Sequence, residues 1–161
     1  MAQYTMWPFE NYVMLVKEIA KNFNCPIILL GDKKSRRYND IICKESNNRS
    51  VINMSGETTI SQAAALIQQS NLFIGNDSGL LHIANALSIP SIGIFGPTSP
   101  EQVLTYRNSC IVIKKNIPCS PCYVHQHDFE ATCQVRTCLK EIKVSDVMET
   151  VDKILKISNH V

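Results

Sequence analysis

Four residues have the types and spacing to do chemistry together: Asp77, Ser78, Gly79 and His82, in the run Gly75-Asn76-Asp77-Ser78-Gly79-Leu80-Leu81-His82. Apolar residues precede the run, and a helical pattern follows it. It reads as a strand, a sharp turn and a helix that opens on small polar residues. Such a helix start presents unsatisfied backbone N–H groups and the positive end of the helix dipole, a setting that suits an anion such as phosphate. Ser78 is a natural cap and offers a hydroxyl. Asp77 can hydrogen-bond backbone or sugar hydroxyls, or serve as the cap itself. Gly79 keeps the turn free of a side chain, so a ligand can approach the backbone closely. His82 lies one turn on and can face the same ligand. The plainer alternative is a capped helix of an ordinary α/β protein, with His82 merely packed.

Other phosphate and nucleophile motifs do not fit. The run lacks the Gly-x-Gly-x-x-Gly of a dinucleotide site and the Gly-Lys-Ser/Thr ending of a Walker A loop. No glycine stands two residues before Ser78, so it is not a hydrolase elbow. A second candidate wall is Gly96-Pro97-Thr98, after the next strand. In parallel sheets, sites gather at the carboxyl ends of strands, where this loop would sit; the alternative is a simple Gly-Pro turn. Thr58 and Thr59 follow another strand and can line the far side or only cap a helix.

These residues need elements to hold them. Pro8 can sit in the first turn of a helix running to about Phe23, with Tyr12, Leu15, Val16 and Ile19 at helical spacing. Pro26 to Leu30 reads as a buried strand, 34–44 as a polar helix broken by Asn47-Asn48, and Val51 to Met54 as the next strand. Thr59 and Gln62 have capping-box spacing ahead of a helix through Ile67. Strands are expected at 72–75, 91–95 and 110–113, and a helix at 79–87. Residues 96–107 read as a loop and 114–144 as an irregular Cys-rich segment. Ser145 is expected to cap a last helix over 145–157. The alternation describes one α/β domain over 1–161, a Rossmann-like three-layer arrangement with a mainly parallel sheet. The reading starts at a helix, so the first strand of such a domain is missing from it.

Composition narrows the classes. The formal net charge of +2 gives no steering field for nucleic acid. No apolar run approaches the roughly 18 residues of a membrane span, and the first residues do not form a signal peptide. The odd count of seven cysteines fits a reducing compartment better than a disulfide scaffold. Cys119-x2-Cys122 and Cys133-x4-Cys138, with His125 and His127 between them, have spacing that permits a structural zinc clip. The alternative is that these cysteines are small packing residues, and no metal is assigned to the candidate site.

Taken together, the chain resembles the C-terminal half of the heptosyltransferases, the lipopolysaccharide-core glycosyltransferases of glycosyltransferase family 9 with the two-Rossmann-domain GT-B fold. Trp7-Pro8, Ile27 to Gly31, Gly56 and the helix from Ile60 carry the resemblance. So do Asn76-Asp77-Ser78-Gly79-Leu80-Leu81-His82-Ile83-Ala84-Asn85-Ala86-Leu87 and Phe95-Gly96-Pro97-Thr98-Ser99-Pro100. The Asp-Ser-Gly-x-x-His and Phe-Gly-Pro-Thr pair is specific in combination. The resemblance implies a donor-binding domain for ADP-L-glycero-D-manno-heptose. Asp77, Ser78 and Gly79 would hold the diphosphate or sugar end, His82 would assist, and Thr58 would lie near the base. Thr98 belongs to the second wall.

The implied mechanism is inverting, metal-independent and free of a required cofactor. An N-terminal domain would bind the lipopolysaccharide acceptor and supply the catalytic aspartate. No catalytic residue is therefore assigned here, and the isolated chain is expected to be inactive. Where the family carries a donor-phosphate lysine the chain has Thr5-Met6, and Asp32 is the candidate ribose acid. The implied location is cytoplasmic, peripheral at the inner membrane. The alternatives are a non-catalytic or degenerate sugar-nucleotide-binding module, or an α/β interaction domain that forms a homodimer over an exposed sheet edge.

Overall fold

The structure is a computed structural model that describes residues 5–104, 109–122, 133 and 135–158. Its elements alternate: α1 (Phe9–Asn22), β1 (Ile27–Leu29), α2 (Arg36–Ser46), β2 (Val51–Asn53), α3 (Ile60–Gln68), β3 (Phe73–Asn76), α4 (Gly79–Ala86), β4 (Ser91–Ile94), α5 (Pro100–Val103), β5 (Cys110–Ile113), α6 (Thr137–Lys140) and α7 (Val144–Ser158). Every strand pairing among the described residues is parallel. The pairing is divided into β1-β2 and β3-β4-β5. Among the described residues no strand pairs with the second edge of β1 or of β3.

The period-two alternation of the strands sorts side chains between two helical layers. Ile74, Ile92, Ile94 and Ile113 face Trp7 and the buried Leu15, Ile19, Val147 and Val151 of α1 and α7. Phe73, Cys110 and Val112 face Leu81 of α4 and Phe95 on the other side. A smaller cluster joins Val16, Ile42 and Val51, so α1 packs against both strand groups. Trp7 is fully buried, and its indole N–H donates to the Ile142 carbonyl at 2.9 Å, tying the start of α1 to the approach of α7. Removing such a side chain costs about 3–5 kcal/mol.

Local signals explain most boundaries. Thr59 and Gln62 form the expected capping box, with both reciprocal bonds present. Asn47 closes α2 in the left-handed conformation at φ 48°, which asparagine tolerates. Three expectations are corrected. The loop over 96–107 contains the short helix α5, started by Pro100 in its first turn. The segment 114–144 contains α6. The last helix begins at Val144 rather than at a Ser145 cap. The Asp146 carboxylate accepts from the Lys143 N–H at 2.8 Å, so the third helical residue, not Ser145, satisfies the first free donor. No helix among the described residues is long and apolar enough to cross a membrane.

Candidate functional site

The site is built by the register of two neighbouring strands. Asn76, the last residue of β3, lies opposite Ile94, the last residue of β4, and both strands run the same way. The turn Asp77-Ser78 and the turn Phe95-Gly96-Pro97-Thr98 therefore leave the sheet side by side. This brings the two sequence motifs to one strand end, as their order in a parallel sheet requires.

Helix α4 is fixed by its apolar face. Leu81 and Ala84, three residues apart, are fully buried on the sheet. That anchoring leaves Gly79 and His82 exposed at the helix start. Ser78 holds the N-cap position with extended backbone, φ −158° and ψ 162°, and its side chain makes no capping bond. The expected capping role is thus corrected: Ser78 has the cap position, but its hydroxyl is not spent on the helix. A Cβ added at Gly79 would meet nothing within 4 Å among the described residues. The glycine is not demanded by the packing of this chain, and it leaves the first N–H groups of α4 open to approach.

Asp77 and His82 come together. Asp77 Oδ1 lies 3.5 Å from His82 Nε2, with the aspartate side chain 15% exposed and the imidazole 43% exposed. The carboxylate is turned toward the imidazole rather than capping the helix, and the pair is ionic when His82 is protonated. Asn76, which the sequence reading did not assign a role, is the buried hinge behind them. Its Oδ1 accepts from the Tyr12 hydroxyl, and its Nδ2 donates to the Thr5 carbonyl at 2.5 Å. Burial pushes the Tyr12 phenol above its ordinary value, so it stays a donor. The chain entering α1 is thereby drawn to the carboxyl end of β3, and Thr5 lies beside the candidate site. The signal was a polar residue at the end of an otherwise apolar strand, but its distant partners were not legible.

Thr98 is 4% exposed, and its Oγ1 has no hydrogen-bond partner among the described residues. A buried hydroxyl without a partner costs about 1–3 kcal/mol. Its neighbour is well satisfied: Ser99 Oγ donates to Glu101 Oε2 at 2.8 Å, and Lys114 Nζ donates to Glu101 Oε1 at 3.0 Å. The Lys114 hydrogen bond in particular holds the Glu101 carboxyl down to about 2. The turn before Thr98 is clamped as well. A Cβ at Gly96 would fall 2.5 Å from Leu139 Cγ, so only glycine lets α6 press this close. Ser120 Oγ donates to the Gly96 carbonyl at 2.7 Å, and the Cys122 N–H donates to the Pro97 carbonyl at 2.9 Å.

Two other sequence candidates stand apart. Thr58 follows β2, in the other strand group, directly before the capping residue of α3. No hydrogen bond or ion pair among the described residues joins it to Ser78 or Thr98. Asp32 Oδ1 accepts from the Ser35 hydroxyl at 2.6 Å and the Ser35 N–H at 2.9 Å, bonds that lower its pKa and tie it to the turn before α2. His125 and His127 lie outside the described residues.

A family model described as glycosyltransferase family 9 (heptosyltransferase) matches residues 4–132. The chain belongs to glycosyltransferase family 9. Among family members, it is 34% identical over 113 residues to the lipooligosaccharide heptosyltransferase 2 of Haemophilus ducreyi, covering 67% of this chain and 32% of that protein. It is 28% identical over 153 residues to lipooligosaccharide heptosyltransferase 2 of Campylobacter jejuni, covering 92% of this chain and 46% of that protein.

Solved family structures share the fold. The ADP-heptose lps heptosyltransferase II of Escherichia coli superposes with TM-score 0.76 at 24% identity, over 97% of this chain and 44% of that one. The Escherichia coli heptosyltransferase WaaC with ADP-2-deoxy-2-fluoro heptose gives TM-score 0.72 at 17% identity, over 95% of this chain and 40% of that one. This family 9 chain thus spans less than half the length of these relatives.

Proposed function

We propose that this chain is the donor-binding half of a heptosyltransferase, which holds ADP-heptose for transfer to the lipopolysaccharide inner core. The carrying observation is the paired strand end: a start of α4 without a side-chain cap, beside a turn whose buried Thr98 hydroxyl has no partner among the described residues. The heptosyltransferase relatives, one of them solved with an ADP-heptose analogue, support this reading.

Each group has a role that follows from its chemistry. The open N–H groups at Ser78 and Gly79 donate to the diphosphate, whose negative charge the α4 dipole favours. The Ser78 hydroxyl, free of capping, donates to a phosphate oxygen. As the glycosidic bond breaks, charge grows on the leaving diphosphate, and donors already aimed at it stabilise that charge. Asp77 would be repelled by phosphate, so we assign it to the sugar hydroxyls and to orienting His82. His82, half exposed, donates to the phosphate or sugar. Thr98 closes the second wall, and Thr58 lies on the base side.

The general base that takes the acceptor proton belongs to the acceptor-binding half in this reading. Calorimetric titration with ADP and ADP-heptose tests the proposal, on the wild type and on Ser78→Ala and His82→Ala. Binding weakened in both variants is expected, with transfer appearing when an acceptor-binding half is supplied. No heat from either nucleotide with the folded wild type would sink it.

A further inference from the structure

Four of the seven cysteines line one cavity beside Pro97, in the turn that leads to Thr98. Pro97, Cys119, Cys122, Cys133, Arg136 and Cys138 are among the walls of one cavity of about 250 Å³. The cysteines come from two stretches, the irregular chain after β5 and the entry to α6. All four are free thiols. The other three, Cys25, Cys43 and Cys110, pack against the apolar clusters of the domain, and Cys138 also belongs to one of them.

We propose that Cys119, Cys122, Cys133 and Cys138 form a tetrathiolate site for a structural zinc ion. Two close cysteine pairs from separate segments are the ligand pattern of such sites, and the x2 spacing lets one turn present both sulfurs to one ion. All four cysteines line one cavity, so a single divalent cation placed there meets them together. Four thiols bind as thiolates and release their protons to solvent, leaving a net −2 centre beside the Arg136 that lines the same cavity.

Among the described residues no three such side chains already stand at metal-holding separation. Capture therefore draws the sulfurs inward. Cys138 is buried on α6, while Cys119 and Cys122 are exposed and can close on it. The consequence is mechanical. The Cys119–Cys122 turn hydrogen-bonds to the carbonyls of Gly96 and Pro97, so an ion bridging it to α6 clamps the chain that carries Thr98. Thiolate ligands with no open position and no redox role in the site suit zinc rather than a hard cation.

The test uses the full chain purified under reducing conditions with zinc present. Elemental analysis should find about one zinc per chain, a closed four-coordinate site. Cobalt exchanged into the wild type should give thiolate-to-metal charge transfer and tetrahedral d–d bands, a readout independent of any variant. Cys119→Ser and Cys133→Ser should lose the metal, while Cys25→Ser and Cys43→Ser keep it. A folded wild type that takes up neither zinc nor cobalt would overturn the proposal. So would iron with inorganic sulfide in place of zinc, or metal retained in full by both Cys119→Ser and Cys133→Ser.

Discussion

Gly79→Ala separates the demands of the fold from those of the ligand. A methyl at this position meets nothing within 4 Å among the described residues. Replacing glycine by alanine at a helical position also removes backbone freedom from the unfolded chain, a gain of about 0.4–1 kcal/mol. For a domain of this size that raises the thermal midpoint by about 1–4 °C. The same methyl stands where a diphosphate must come to reach the first N–H groups of α4. One hydrogen bond to a charged group is worth about 1.5–3 kcal/mol, and about 1.4 kcal/mol is tenfold in affinity. The dissociation constant for ADP should therefore rise about 10- to 150-fold. Thermal denaturation and calorimetric titration of the same preparation read the two effects. Stability rising while affinity falls is the expected signature. Unchanged affinity in a stable Gly79→Ala chain would refute the assignment of the α4 start as the phosphate site.

Further outcomes follow from single contacts. Thr98→Val removes a buried hydroxyl that has no partner among the described residues, so chemical denaturation should show unchanged stability or a gain of up to about 1 kcal/mol, with weaker ADP-heptose binding by titration. Gly96→Ala drives a methyl to 2.5 Å from Leu139 Cγ, and overpacking there should cost about 1–3 kcal/mol in urea unfolding. Asp146 is lowered first by the Lys115 hydrogen bond, with the Lys143 N–H bond adding to it. Its stabilisation is therefore present above the unfolded carboxyl pKa of about 3.9 and fades as pH falls through the folded value. Asp146→Asn should flatten that acid limb of a stability–pH curve, by less than about 1 kcal/mol because the pair is partly exposed.

Much of the fold was legible because local rules decided it. The capping box at Thr59 and Gln62, the left-handed Asn47 and the apolar face of α7 each follow from residue type and spacing. The candidate site was legible in its parts, since the order of strands in a parallel sheet places the Asp77 and Thr98 turns together. Its supports were not. Asn76 meets Thr5 and Tyr12 across 71 and 64 positions, and no periodicity encodes such pairs. The clamp of Ser120 on Gly96 likewise joins distant loops. Ser145 was favoured as a cap by its type, yet Asp146, one residue on, reaches the Lys143 N–H with a charged oxygen. Ser78 holds the cap position through its extended backbone, and its hydroxyl makes no capping bond.

The central claim is that the start of α4 and the Thr98 turn hold a nucleotide sugar. The most direct measurement is a titration of the isotope-labelled chain with ADP-heptose, followed by amide chemical shifts. The account predicts that the largest saturable shifts fall on Ser78, Gly79 and Leu80, with a second group at Pro97's neighbours Gly96 and Thr98. Saturable shifts confined to another face of the domain, or a folded chain with no shifts at all, would contradict it.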